Sequence, residues 1–210
     1  MRNYRLHFIR HGLIEANFTG QYIGRLDVPL CRRGLEELAE KRARYEYPAV
    51  GRVYVSPMQR CRQTAAILYP DQETVVVDNL AECHFGVFEG RYPDELKSDP
   101  AFVKWLENSA ANPPEGGEGV EEFAGRCIAA FGQIFKDMMG DKVYEAAAIT
   151  HGGVIATLLA AMAFPRQGML QWKTKSGEGY TVLIAPDLWM RSGTVEVFGA
   201  VPARERAQQG

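Results

Sequence analysis

The chain has 210 residues, a length at which one domain around one core is the simplest organisation, so 1–210 is expected to fold as a unit. Hydrophobic residues at 46% and charged residues at 24% are the proportions of an ordinary globular protein and exclude disorder, collagen-like repeats and a simple coiled coil. Twenty-four Lys and Arg against 26 Asp and Glu leave a net charge of −2, which excludes a dedicated nucleic-acid binder, whose phosphate contacts demand an excess of cations.

The N-terminus starts basic, but Arg10 and His11 arrive before an apolar stretch of signal-peptide length, so the expected location is the cytoplasm. The longest apolar run, 146–149 with 154–164, is broken by Thr150, His151 and two glycines and falls short of the roughly 20 residues a membrane span needs. Cys31, Cys61, Cys83 and Cys127 include no CxxC pair, so neither a zinc cluster nor a disulfide framework is expected.

Residues 4–9 alternate and then turn wholly apolar, a strand entering a core and ended by Gly12. Residues 34–45 read as an amphipathic helix and 53–55 as a second strand. Ser56-Pro57-Met58-Gln59 then reads as a capping box with Ser56 at the cap, opening a helix through Leu68. Residues 74–77 make a third strand. A fourth, 146–150, runs through His151-Gly152-Gly153 into an apolar helix over 154–163. Segments 181–185 and 194–198 form a closing hairpin around 186–192, and the tail 203–210 reads as polar and frayed. Helical patterns at 94–108 and 120–139, with the break Asn112-Pro113-Pro114-Glu115-Gly116-Gly117, form an excursion beside the sheet that either shapes a substrate pocket or pads the fold. Strands alternating with helices indicate the α/β class.

Ligands in open α/β sheets bind beyond the carboxyl ends of the strands, where Arg10-His11-Gly12 and Thr150-His151-Gly152-Gly153 would bring two histidines together. Facing histidines suit metal or phosphoryl chemistry. A metal needs further ligands, and His7 stands four residues from His11 along a strand, roughly 13 Å away at about 3.3 Å per residue. Phosphoryl chemistry has separate support from Arg60, a cation in the first turn of its helix, where the dipole favours an anion. Gly152 and Gly153 offer backbone N–H groups at the next helix start. This electropositive set fits a doubly charged phosphate.

The motifs resemble those of the histidine phosphatase superfamily, also called phosphoglycerate mutase-like. They run in the family's order through most of the chain: Arg10-His11-Gly12 with Asn17; Gly24-Arg25-Leu26-Asp27-Val28-Pro29-Leu30 with Gly34; Ser56-Pro57-Met58-Gln59-Arg60-Cys61-Arg62-Gln63-Thr64-Ala65; Leu80-Ala81-Glu82-Cys83-His84-Phe85-Gly86 with Glu89-Gly90; and Thr150-His151-Gly152-Gly153. The resemblance implies a three-layer α/β/α fold with a mostly parallel central sheet and the helical excursion, about 82–140, over the active site. It implies that His11 is the nucleophile and forms a phosphohistidine, that Arg10, Asn17, Arg60, His151 and Gly152 hold the phosphate, and that Glu82 is the general acid. Ile23 and Gly24 are expected to contact substrate, and His84 is either a leaving-group contact or a plain loop residue. No cofactor and no metal are expected.

Departures concern specificity. Leu13 and Ile14 follow the RHG motif where the family usually has Glu and Thr, Cys31 replaces a common Thr at a helix cap, and Gly119 stands where Ser often follows Gly-Glu. Mutases of the family carry an Arg after the general acid, and here Cys83 follows Glu82. The implied activity is therefore a phosphomonoesterase on a small phosphorylated metabolite, similar to alpha-ribazole phosphatase-like proteins, with a phosphoglycerate mutase-type transferase as the enzymatic alternative and a non-catalytic phosphate binder as the other. Neither nucleic acid nor membrane is an expected partner, and the state is monomer or homodimer.

Overall fold

Alternation along the first strand decides the middle of the fold. The computed structural model describes residues 2–205. In β1 (Tyr4–Arg10), Tyr4, Leu6 and Phe8 serve one face of a sheet and His7 and Ile9 the other, and all five are buried. A strand buried on both faces belongs to the centre of its sheet.

The chain continues through α1 (Ala16–Thr19), α2 (Arg32–Arg44), β2 (Tyr45–Glu46), β3 (Arg52–Val55), α3 (Gln59–Leu68) and β4 (Thr74–Val76). After α4 (Pro93–Leu96), α5 (Pro100–Glu107) and α6 (Val120–Gly140) come β5 (Glu145–Thr150), α7 (Gly152–Met162) and β6 (Ala163–Phe164). The last elements are β7 (Gly179–Ile184), α8 (Pro186–Ser192), β8 (Val195–Val201) and β9 (Arg204–Glu205). Seven strands form one sheet in the order β4-β3-β5-β1-β7-β8-β6, in which β7 alone runs against its neighbours.

One face of this sheet, with Leu6, Phe8, Tyr54, Ala146 and Ala148, packs on Phe131, Ile134 and Phe135 of α6 and on Ile155, Leu158 and Leu159 of α7. The other, with Ile9, Val53, Val55, Ala147 and Ile149, packs on Leu38 of α2 and on Cys61, Ala65 and Leu68 of α3. The architecture is three-layer α/β/α around a mostly parallel sheet, as expected.

Four local expectations change. The helix expected to be capped by Ser56 begins at Gln59, with Met58 at the cap and no side-chain bond there. The single helical pattern 94–108 is two helices, because Pro100 cannot continue α4; it opens α5 behind Asp99, whose side chain accepts from Ala101 N–H. The strands of the expected hairpin do pair, through β7 and β8, but 186–192 is the helix α8, started by Pro186 and closed by Gly193 at a φ of 60°. Of the tail, Arg204 and Glu205 pair with β2, and Arg44 bonds Glu205 at 2.8 Å; residues 206–210 lie outside the described residues.

The excursion also divides by packing. Its first part builds a small aromatic cluster of its own, Phe88, Leu96 and Phe102 against Tyr22, Phe85 and Trp105. Its last helix, α6, belongs to the sheet layer, since Phe123, Cys127, Ala130, Phe131, Ile134, Phe135 and Met138 bury one continuous face. The part that borders the carboxyl edge of the sheet is therefore 82–119 with the first turn of α6.

Candidate active site

Strands β4, β3, β5 and β1 are parallel, so their carboxyl ends share one edge. Arg10 pairs with Thr150 and Val55 with Ile149, and His11 N–H donates to Thr150 O at 2.9 Å. The residues leaving this edge are therefore His11, His151 and Ser56. From β4 the chain passes a short turn at Asp78–Leu80 and delivers Glu82 to the same place.

His11 is 6% exposed and its ring centroid stands 5.1 Å from that of His151. Its Nδ1 lies 2.7 Å from Gly12 O. A carbonyl only accepts, so Nδ1 carries the proton and Nε2 keeps its lone pair. Burial, aided by the charges of Arg60 and Arg10, lowers the His11 pKa to about 3, which makes the ring neutral. His151 is fully buried and lowered in the same direction, first by burial and then by His11 and the two arginines. Its Nε2 meets Ser56 Oγ at 2.8 Å, and its Nδ1 has only the Cys61 thiol, at 3.9 Å, as a partner among the described residues.

Arg60 is the largest fully buried side chain, and its Nη atoms donate to Gly24 O at 2.7 Å and Leu26 O at 2.9 Å. Its Nε is buried with no acceptor among the described residues. A buried cation held only by carbonyls, with a donor to spare, is a receptor for an anion. Arg10 donates to Thr174 O at 2.8 Å, and its guanidinium lies against Gly152, where an added Cβ would stand 3.5 Å from Nε.

Glu82 accepts from Gly153 N–H and Cys83 N–H, both at 3.0 Å. Burial raises its pKa even though both backbone bonds and both arginines pull the other way. The shift is toward the protonated carboxyl, and the cluster carries two guanidinium charges around neutral imidazoles.

The expected site residues fall into two groups. His11, His151, Arg10, Arg60, Glu82 and Gly152 meet at the sheet edge. Of the two glycines expected to offer N–H groups, Gly153 is committed to Glu82, which leaves Gly152 as the one able to offer its N–H. Asn17 is exposed on α1, and its Oδ1 accepts from Ile14 N–H, which shapes the loop after the RHG motif and leaves its NH2 to donate. Ile23 packs on the Ile9–Ile149 core. Gly24 is a close-approach residue, since a Cβ there would stand 1.8 Å from Cys83 O, and both its N–H and its carbonyl are engaged, by Glu89 and Arg60. Nδ1 of His84 accepts from Gly86 N–H, tying the side chain into its own turn. His7 is remote from this group, bonded to Thr181 and Glu145 on the sheet.

Three supporting residues had no role at the site assigned from sequence. Ser56 orients His151. Glu89 accepts from Gly24, Arg25 and Phe85 N–H at 2.8–3.0 Å and so fixes the loop whose carbonyls hold Arg60; the motif Glu89-Gly90 was its only signal. Arg126 donates to Asn79, Ala81 and Glu82 carbonyls and clasps Glu118 with two bonds of 2.7 Å, clamping the segment that bears Glu82. Beside Glu82 opens a cavity of about 670 Å³ walled by 82–123 and by α7.

A sequence profile of the histidine phosphatase superfamily (branch 1) matches residues 6–190. The chain belongs to the histidine phosphatase superfamily. An adenosylcobalamin/alpha-ribazole phosphatase of Escherichia coli (strain K12) is 26% identical over 178 residues, 82% of this chain and 86% of the relative. A metal-independent phosphoserine phosphatase of Arabidopsis thaliana is 30% identical over 159 residues, 71% of this chain and 65% of the relative. The crystal structure of the alpha-ribazole phosphatase from Shigella flexneri matches at a TM-score of 0.77 and 22% identity over 92% of this chain and 94% of that one, a likeness of fold. Within the superfamily this chain is a phosphatase, in keeping with its phosphatase-named relatives. No helix among the described residues is long and apolar enough to cross a membrane.

Proposed function

We propose that this histidine phosphatase, acting as one unit over 1–210, hydrolyses a small phosphomonoester (a sugar phosphate, alpha-ribazole phosphate or similar) through a phosphohistidine at His11, without a metal. The observation that carries the reading is the geometry of one buried cluster: an imidazole whose Nδ1 faces Gly12 O so that Nε2 is bare, and a carboxyl, its pKa raised by burial, 3.0 Å from Gly153 N–H in the first turn of α7.

In the first step Nε2 of His11 attacks phosphorus, the P–N bond forms, the P–O ester bond breaks, and the leaving alkoxide takes the Glu82 proton. In the second, water attacks the phosphohistidine, gives its proton to Glu82 and releases inorganic phosphate, restoring both groups. Arg10, Arg60, the Asn17 amide, the Gly152 N–H and Nδ1 of His151 spread over the phosphoryl oxygens, where charge lies in the transition state. Two guanidinium charges match a phosphate dianion. The relative named alpha-ribazole phosphatase supports hydrolysis over transfer, as does Cys83 where mutases carry Arg.

The test is phosphate release from phosphomonoesters in EDTA by wild type and by His11→Ala. The expected outcome is release by wild type alone. Release that stops in EDTA, or persists in the variant, contradicts the proposal, and faster formation of 2-phosphoglycerate than of phosphate from 3-phosphoglycerate primed with the bisphosphate makes the enzyme a mutase.

A further inference from the structure

The cavity beside Glu82 is lined by that carboxyl and not by His11, His151, Arg10 or Arg60. Gly153, whose N–H holds Glu82, also lines it, so the chamber opens directly beside the carboxyl that would protonate a leaving group. Its volume of about 670 Å³ is in the range that encloses a small organic molecule.

The walls are apolar. Phe85, Trp105, Phe123, Val120 and Met169 face it, with the helix positions Ala160 and Ala161. Trp105 is fixed by ring contacts to Tyr22, Phe85, Phe88 and Phe102 at 5.5–6.1 Å, so this wall is rigid. At the rim Val120 and Met169 are 47% and 49% exposed and Leu170, beside Met169, 83%, apolar surface turned to water.

Charge in the chamber has one sign. Its only ionisable side chains besides Cys83 are Glu82 and Glu118, and no Lys or Arg lines it among the described residues. Although burial opposes it, Glu118 is held ionised by its bonds to Arg126 and His84 N–H. Every Nη and Nε of Arg126 is already bonded, while Arg25 stands 3.6 Å from Glu118 with its buried Nε unpartnered among the described residues and does not line the chamber. A carboxylate on the leaving group would therefore enter an apolar space whose lining supplies no cation among the described residues, and burying it unpaired costs more than its burial returns. A polyhydroxylated group would find only Ser109 and Thr157 as uncharged hydroxyl partners.

We infer that this chamber receives the leaving group and selects an uncharged alcohol bearing an apolar ring or branched chain over carboxylated or polyhydroxylated ones. The inference rests on the phosphatase reading above and narrows its substrate class, setting simple sugar phosphates aside.

The experiment compares kcat/KM for benzyl phosphate and a branched alkyl phosphate with that for O-phosphoserine, 3-phosphoglycerate and glucose 6-phosphate, in wild type and in Ala161→Trp, an exposed helix position that narrows the chamber without touching Glu82. The apolar esters are expected to lead by on the order of 100-fold, the scale that burying a ring-sized apolar group allows, and Ala161→Trp to cut that lead about tenfold. Equal or faster turnover of the carboxylated or sugar esters, or a lead unchanged in Ala161→Trp, overturns the inference while leaving the phosphatase reading intact. No release from any of the five esters overturns both.

Discussion

Burial drives His11 and Glu82 in opposite directions, each toward the protonation state its step requires. Because the Glu82 pKa is raised, the acid form is lost only as pH climbs past that higher value, while His11, lowered to about 3, stays neutral far into acid. The rate therefore favours mildly acidic conditions, and its alkaline limb belongs to Glu82. Glu82→Gln is expected to lose about 10²–10⁴ in kcat together with that limb, and Gly153→Ala to lose activity by moving the same carboxyl. An added Cβ at 153 would stand 2.3 Å from Glu82 Oε1, the end of a flexible side chain, so the carboxyl swings aside. Alanine also suits the helix better than glycine, so Tm is expected to hold or rise while kcat falls. Melting curves and pH–rate profiles of the two variants check this, and an alkaline limb unchanged in Glu82→Gln assigns it to another group.

At the scale of elements, the site depends on loops that the strands place and a few carboxylates hold. Glu89 gathers four backbone N–H groups from two segments and keeps Gly24 O and Leu26 O aimed at Arg60. Glu89→Gln removes acceptor capacity from partly buried donors, at most about 1–3 kcal/mol for a donor left unpaired, and frees the anchor of Arg60. The expected result is a KM raised at least several-fold with a smaller change in kcat; unchanged KM and stability would mean the loop holds itself. This layer is where sequence reading stopped short. Strand ends releasing Arg-His-Gly and His-Gly-Gly were legible because strand periodicity is local and the carboxyl-edge rule is general. Ser56 was read as a cap because Ser-Pro-x-Gln satisfies the local rule, whereas its hydroxyl serves His151, 95 residues on, a pairing that exists only once β3 and β5 are side by side. Arg126 and Glu118 gave no signal, being one more pair of charges on a helix start until the excursion folds against them.

For the whole molecule, the same buried histidines set the acid limit of stability. His7, His11 and His151 all have lowered pKa values, burial being the first cause of each. Unfolded, they take up protons near the ordinary value of 6.5; folded, they do so only at lower pH. Between the two the unfolded state holds more protons, so stability falls as pH drops below about 6.5, by at most about 1.4 kcal/mol per pH unit for each histidine, and these residues give no slope above it. Glu82, raised in the fold, works in the opposite sense, with its contribution present below its unfolded value and lost as pH rises through the folded one. Three groups outweigh one. Urea midpoints are expected to fall between about pH 7 and about pH 5, and constant midpoints would contradict neutral burial of the histidines.

The most direct test of the account is to quench the enzyme in alkali during turnover of a radiolabelled phosphomonoester and map the label. A base-stable, acid-labile phosphoryl group on His11, absent from His11→Ala, is the predicted result. Label on another residue, or turnover by His11→Ala at the wild-type rate, would contradict it.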